Sequence, residues 1–176
     1  MRLERSSTTA LSRALLGSLR ELLELSYLGD FSADDWSHTL GGVHVLAWED
    51  ARLIGHGALV PRTLLTAGRA WNTGYVEAVA VRPGHRRRGV ASAIMALLEE
   101  DVRARFELGA LSPSDEALPL YRARSWQPWR GPTFASIGAH AVRTPDEDGN
   151  VFVFTVRDLP ALDGELTCDA RSGDPW

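Results

Sequence analysis

Residues 75–91, Y-V-E-A-V-A-V-R-P-G-H-R-R-R-G-V-A, constrain the fold of this chain more than any other stretch. They close a β-type run over 71–81, pass Pro83 and Gly84, reach Arg86, Arg87, Arg88 and Gly89, and enter a helical repeat at Val90. Val90, Ile94, Leu97, Leu98 and Val102 recur at helical spacing, while Glu99, Glu100, Asp101 and Arg103 fill much of the other surface. A short apolar run over 106–111 follows. Strand, turn, helix and strand in that order predict one parallel step, because parallel neighbours need a crossover element between them.

The flanks predict the remainder. Leu11, Leu15, Leu19 and Leu22 mark an amphipathic helix over 10–26, and Gly29, Asp30 and residues 32–35 read as a loop carrying a helix-cap signal. Runs over 43–48 and 53–65 suggest a hairpin, and a turn at Ala67, Gly68 and Arg69 leads into the run 71–81. Three strands joined by short turns form an antiparallel meander. Beyond residues 106–111, a helix-like stretch ends at Tyr121, and Pro128, Gly131, Pro132 and Pro145 predict a loop-rich region. Residues 151–156 form a strand, and the tail 157–176 is polar and acidic without strong periodicity. The expected fold class is α+β, with a mixed and mostly antiparallel sheet, in a single domain over residues 1–176.

Composition closes several doors. At 176 residues, 44% hydrophobic and 24% charged, the chain can hold a core without disulfides or metal. A lone cysteine, Cys168, excludes an intrachain disulfide and a thiolate cluster. A net charge of −4 argues against nucleic acid as a partner. The basic side chains are all Arg or His; with no lysine, Schiff-base chemistry and a P-loop are excluded. No stretch reaches the roughly 20 apolar residues of a membrane span. Glu4, Glu21 and Glu24, with Arg13 and Arg20, break the N-terminal apolar run, so it reads as mature cytoplasmic protein rather than a targeting segment. The histidines His38, His44, His56, His85 and His140 show no ligand spacing, and no metal is expected.

The chemistry concentrates at the arginine-glycine turn. A helix start presents backbone N–H groups and a positive dipole end, and Gly89 and Ala91 keep bulk away from them. This is a pyrophosphate cradle built without lysine. R-x-x-G-x-A after such a strand resembles the acetyl-CoA loop of the GCN5-related N-acetyltransferase (GNAT) superfamily. Further motifs resemble the aminoglycoside 2′-N-acetyltransferases: G-D-F at 29–31 with D-W at 35–36, T-L-G-G at 39–42, G-Y-V-E at 74–77, L-G-A-L-S at 108–112, R-T-P-D-x-D-G at 143–149 and G-D-x-W at 173–176. They run in shared order from about residue 28 to residue 176.

The resemblance implies a GNAT fold, a homodimer, and acetyl-CoA as cosubstrate on Val79, Ala80, Val81, Arg86, Arg87, Arg88, Gly89, Val90 and Ala91. Transfer to an amine is then direct, without an acyl-enzyme, and the Val79 N–H is placed to polarise the thioester. Glu77 lies within an apolar strand, where an unpaired carboxylate costs several kcal/mol, so its presence needs a reason. An arginine partner is one reason; binding a cationic substrate and taking its proton is the other. The carboxylate of Trp176 is the alternative base, and Tyr121 is the expected proton donor to the CoA thiolate. Asp30, Asp35, Ser112, Glu147, Asp174 and Trp176 match substrate contacts. The family pattern has aspartate in the middle of residues 146–148 where this chain has Glu147, so Asp146, Glu147 and Asp148 all stay open. Other substrates fit the same residues: a polyamine, a peptide amine or a cell-wall amino sugar. A non-catalytic acyl-CoA sensor would keep residues 86–91 without needing Glu77 or Tyr121.

Overall fold

The computed structural model describes residues 1–138, 140–157 and 161–176. They form two compact units, residues 1–60 with 76–101, and residues 61–75 with 102–176.

The first unit begins with strand β1 (Arg2–Ser7), antiparallel to β2 (Val43–Glu49). Between them lie α1 (Arg13–Ser26) and the short α2 (Ala33–Thr39). Ser12 caps α1 by accepting the Leu15 N–H. Leu19, Leu22 and Leu23 are fully buried and meet Leu11, Leu46, Leu53 and Ala80 in one core. At roughly 1.5–3 kcal/mol per buried leucine, that stripe anchors the helix. Helix α1 ends at Tyr27, after which Leu28 and Gly29 take left-handed conformations. Ser32 and Asp35 form a reciprocal capping box that starts α2, so the cap signal at 32–35 opens a helix rather than a plain loop.

Strand β3 (Arg52–Thr66) pairs antiparallel with β2. It is joined to β4 (Arg69–Val81) by Ala67 and Gly68, both at positive φ as a tight two-residue hairpin turn requires. These two strands run on into the second unit. Helix α3 (Val90–Arg105) packs over β3, where an added Cβ on Gly55 would stand 2.8 Å from Val90 and one on Gly57 would stand 2.8 Å from Ile94. On β2 and β3, His44 and His56 are fully buried side by side, with Nδ1 of His44 2.9 Å from Nε2 of His56.

In the second unit, β5 (Leu108–Leu111) pairs parallel with residues 73–75 of β4, as the strand–helix–strand order requires. Helix α4 (Leu118–Ala123) carries Tyr121. The region expected as loops contains β6 (Gln127–Pro128), β7 (Thr133–Ile137) and β8 (His140–Arg143). Their propensity is weak, and their conformation is set by partners: β7 pairs β8, and β6 pairs β9 (Phe152–Thr155), itself antiparallel to β5. In the tail, whose residues 158–160 lie outside the described ones, β10 (Leu166–Cys168) runs parallel to β7 and antiparallel to β3. The β1 strand is likewise absent from the sequence pattern, because its exposure does not alternate cleanly. The core of this unit gathers Trp71, Tyr75, Leu108, Trp129, Val153, Leu166 and Trp176. The sheet is thus mixed, mostly antiparallel and flanked by helices, as the sequence predicts. Among the described residues no helix is long and apolar enough to cross a membrane.

Burial holds His44 down to about 4 and His56 to about 3, the second also through its histidine neighbour and against the Ala78 carbonyl that raises it. An unfolded histidine takes up its proton near 6.5, so between there and the folded values the unfolded chain binds more protons. The pair's contribution to stability is complete above that range and is lost as pH falls. Urea unfolding should therefore show a loss of about 2 kcal/mol per histidine between pH 7 and pH 5, above the ordinary carboxylate range. A flat profile over that interval would show that the pair does not stay neutral in the fold.

Candidate active site

In the first unit, Glu77 sits half-buried on β4, and its neighbour Ala78 has a φ of +50°, left-handed although it carries a Cβ. A left-handed residue there interrupts the strict alternation of side-chain faces along β4, on which Glu77, Val79 and Val81 would otherwise share one face. The Tyr27 ring, at the C-terminus of α1, stacks on Phe31 with centroids 5.4 Å apart. Its hydroxyl is pushed up to about 12, first by burial and then by the charges of Glu77 and Asp35. Tyr27 as a residue remains 37% exposed, so the desolvation belongs to the surroundings of the hydroxyl and not to the whole ring. The fold therefore brings Tyr27, Asp35 and Glu77 into one electrostatic neighbourhood. Tyr27 is a residue the sequence did not single out; its only signal is its place next to the G-D-F motif. Asp35 also serves the α2 cap, accepting from the Ser32 N–H and hydroxyl at 2.8 Å each. Asp30 lies in the turn after α1, its N–H donating to the Tyr27 carbonyl.

The turn at the end of β4 is built from committed and uncommitted arginines. Arg82 donates to the Leu53 carbonyl and pairs with Glu21 at 3.1 Å, fastening the strand end to β3 and α1. Arg86 donates to the carbonyls of Val81 and Ser26. Its guanidinium is thus a brace for the loop. Arg87 is left-handed and exposed, and Arg88, also exposed, pairs with Glu49 at 3.3 Å. Gly89 has a φ of +79° with open space where a Cβ would stand, and its carbonyl accepts the Ala93 N–H as α3 begins. Val90 is buried beneath the first turn and Ala91 is half-buried. Ala80 and Val81 are buried in β4, with Val79 partly so.

The second unit assembles Ser112, Glu147, Asp174 and Trp176. Ser112, just past β5, donates to Glu147 at 3.1 Å. Glu147 sits in a 3-10 turn over Pro145–Glu147. Burial pushes its carboxyl up, the Ser112 bond opposes this, and the charges of Asp174 and Asp146 add to it. One residue on, Asp148 accepts from Arg143, from the Thr133 N–H and from the Thr133 hydroxyl, and is held far below the usual carboxylate range. Adjacent carboxylates thus have opposite environments: Asp148 ties the loop, while Glu147 keeps an oxygen on Ser112.

Trp176 is no loose end. Its ring is buried in the core, its indole N–H donates to the Thr144 hydroxyl at 2.9 Å, and its backbone N–H donates to Asp174 at 3.0 Å. Arg171 donates to the Asp174 carbonyl and to the main-chain oxygen of Trp176. Tyr121 is buried on α4, edge-on to Trp126 with centroids 6.2 Å apart. Cys168 is buried, donates to the Pro175 carbonyl, and is pushed up by burial, the setting of an inert thiol. Among the described residues no cluster of His, Cys, Asp and Glu is arranged to hold a metal ion.

A family model described as an acetyltransferase (GNAT) domain matches residues 13–129. Over 165 residues the chain is 46% identical to an aminoglycoside 2′-N-acetyltransferase from Mycolicibacterium fortuitum, which covers 91% of this chain and 84% of that protein. Among solved structures, a GNAT family acetyltransferase from Brucella melitensis in complex with acetyl-CoA matches with a TM-score of 0.62 at 14% identity, covering 94% of each chain. Eis1 from Mycobacterium abscessus matches with a TM-score of 0.62 at 19% identity, over 76% of this chain but only 33% of its own length. At those identities the two structures speak for the fold alone.

The opposing influences on Glu147 make a direct test. Replacing Asp174 by Asn should bring the Glu147 titration down towards the ordinary glutamate range, and replacing Ser112 by Ala should raise it further. Carboxyl carbon NMR reads both. Shifts of the same sign in the two variants would contradict the arrangement.

Proposed function

The chain belongs to the GNAT acetyltransferase family, and from that premise we propose that it transfers the acetyl group of acetyl-CoA directly to the 2′-amine of an aminoglycoside. The observation that carries the reading is the likeness, over nearly the whole chain, to the Mycolicibacterium fortuitum enzyme.

Residues 86–91 fit the pyrophosphate of acetyl-CoA. Gly89 leaves its approach open, and the first turn of α3 offers N–H groups and a positive dipole end. With Arg86 committed to carbonyls, Arg87 and Arg88 are the arginines that meet phosphate, Arg88 by exchanging its exposed pair with Glu49. The backbone of Val79, Ala80 and Val81 takes the pantetheine arm, and the Val79 N–H polarises the thioester carbonyl. The thioester is already activated, so what remains for the protein is orientation and proton traffic.

Glu77 binds the incoming ammonium group and takes its proton, directly or through water. The main-chain oxygen of Trp176 is already engaged by Arg171, which favours Glu77 over it as the base. Tyr121 returns a proton to the CoA thiolate. Asp30, Asp35, Ser112, Glu147 and Asp174 serve the remaining cationic and hydroxyl groups of the sugar, and Trp176 holds Asp174 in place. Of the acidic residues at 146–148, Asp148 has its charge spent on Arg143 and Thr133, and Glu147, bonded to Ser112 and beside Asp174, is the one assigned to the substrate on this reading. An arriving ammonium group favours the ionised form of Glu147 and offsets the effect of its burial. The protein works on this reading as one acetyltransferase domain and as a homodimer.

Regiochemistry tests the reading. Tobramycin and gentamicin, which carry a 2′-amine, should be acetylated there. Kanamycin A, with a 2′-hydroxyl, should be a poor N-acetylation substrate even where it binds, because its other amines miss the attack geometry. Thiol release together with NMR of the product measures this. Equal rates on both groups, or a strong preference for spermidine, would overturn the aminoglycoside assignment.

Tyr121→Phe should lower turnover by about 10²–10⁴-fold, the usual range for a general acid, and leave acetyl-CoA affinity nearly intact. Calorimetry for the cosubstrate and steady-state turnover separate the two effects. Wild-type turnover in the variant would remove Tyr121 as proton donor.

A further inference from the structure

His44 and His56 are fully buried, and the proposed reaction uses neither. They belong to one continuous hydrogen-bonded chain. Thr8 Oγ1 lies 2.8 Å from His44 Nε2, His44 Nδ1 lies 2.9 Å from His56 Nε2, and His56 Nδ1 lies 2.9 Å from the carbonyl oxygen of Ala78. The last contact sets the direction of all the others. A carbonyl only accepts, so His56 carries its proton on Nδ1 and presents a bare Nε2. His44 must then donate from Nδ1, which leaves its own Nε2 bare to accept from Thr8. The Thr8 hydroxyl already accepts the Gly41 and Gly42 N–H groups at 2.9 and 3.2 Å, so its one proton goes to His44 and not to the Gly42 carbonyl at 3.3 Å. Every member is satisfied with both imidazoles neutral. Their lowered affinity for a second proton agrees with that arrangement.

The end point of the chain gives it meaning. Ala78 is left-handed at a φ of +50°, a conformation that residues with a Cβ adopt only when their surroundings hold them there. It stands between Glu77 and Val79, so the orientation of its peptide groups governs both the Glu77 side chain and the Val79 N–H. Two buried imidazoles are a costly way to fill sheet surface that leucine or phenylalanine could fill. A neutral donor aimed at one carbonyl is something those residues cannot supply.

We infer that His56, oriented by His44 and Thr8, is a positioning residue for acetyl transfer: it holds the left-handed peptide at Ala78 and thereby aims Glu77 and the Val79 N–H. The inference rests on the catalytic roles proposed above for those two residues.

The test compares His56→Asn, which keeps an N–H close to the place of Nδ1, with His56→Leu, which removes the donor. Both variants lose the link to His44, so both should melt at a lower temperature than the wild type. With tobramycin and acetyl-CoA, His56→Leu should lower kcat at least tenfold while both KM values change less than about threefold. His56→Asn should restore kcat to within about threefold of the wild type. Values of kcat that follow melting temperature in both variants, or a folded His56→Leu protein with wild-type kcat, would overturn the inference. Long-range ¹H–¹⁵N NMR of the wild-type protein is the second measurement and needs no variant to fold. It should find the Nδ1–H tautomer on both rings, and an Nε2–H on His56 would overturn the inference by itself. Should the wild type prefer another amine, the aminoglycoside reading fails, and the same kcat ratios are then read on that amine.

Discussion

Helix α3 rests directly on the backbone of β3, and the first unit depends on that contact. Gly55 and Gly57 have no room for a methyl group beneath Val90 and Ile94, so the helix comes closer to the sheet than any other residue type would permit. With α3 seated there, its N-terminal turn is held at the end of β4, where Arg82 and Arg86 brace the connecting loop onto β3, α1 and the strand end. On the other side of the strand, the leucines of α1 bury Leu46, Leu53 and Ala80. Ala78, partly buried and packed against that cluster, is left-handed there, a conformation that a residue with a Cβ keeps only where its surroundings hold it.

The second unit solves a different problem, that of gathering acidic groups without letting them repel one another into solvent. Arg143 and Thr133 consume the charge of Asp148, and Arg171 pins residues 174 and 176 through their carbonyls. The Trp176 indole is bonded to Thr144, which in turn donates to Thr133, so the tail and the loop over 143–148 share one polar web. Glu147 is left beside Ser112 with its carboxyl raised by burial and by the charges of Asp174 and Asp146. Two carboxylates one residue apart thus acquire opposite environments from their surroundings alone.

Legibility followed chain-local physics. The leucine stripe of α1, the 43–81 meander, the crossover through α3 and the arginine-glycine turn all announce themselves within windows of a dozen residues, because periodicity and turn chemistry are local. Strands β6, β7, β8 and β10 do not, since two to five residues hold too little pattern and take their conformation from partners. The Arg86 brace was hidden for a related reason: a triplet of arginines reads as uniform positive charge until the carbonyls of Ser26 and Val81 claim one of them.

What the sequence by itself determined is the order and type of the main elements, the family resemblance, and the residue types on which the proposed chemistry draws: Glu77, Tyr121, the 86–91 turn and the scattered acidic positions. Tertiary structure alone decided which of those groups are committed to the fold and which keep their charge for something else. The different environments of Asp148 and Glu147 depend on where Arg143 and Thr133 arrive. The Tyr27 neighbourhood depends on where α1 stops. The His44–His56 chain depends on a hairpin register that sets two residues twelve positions apart ring against ring. Electrostatics and hydrogen bonding act through space over a few ångströms, and a linear sequence does not record which distant residues close that gap.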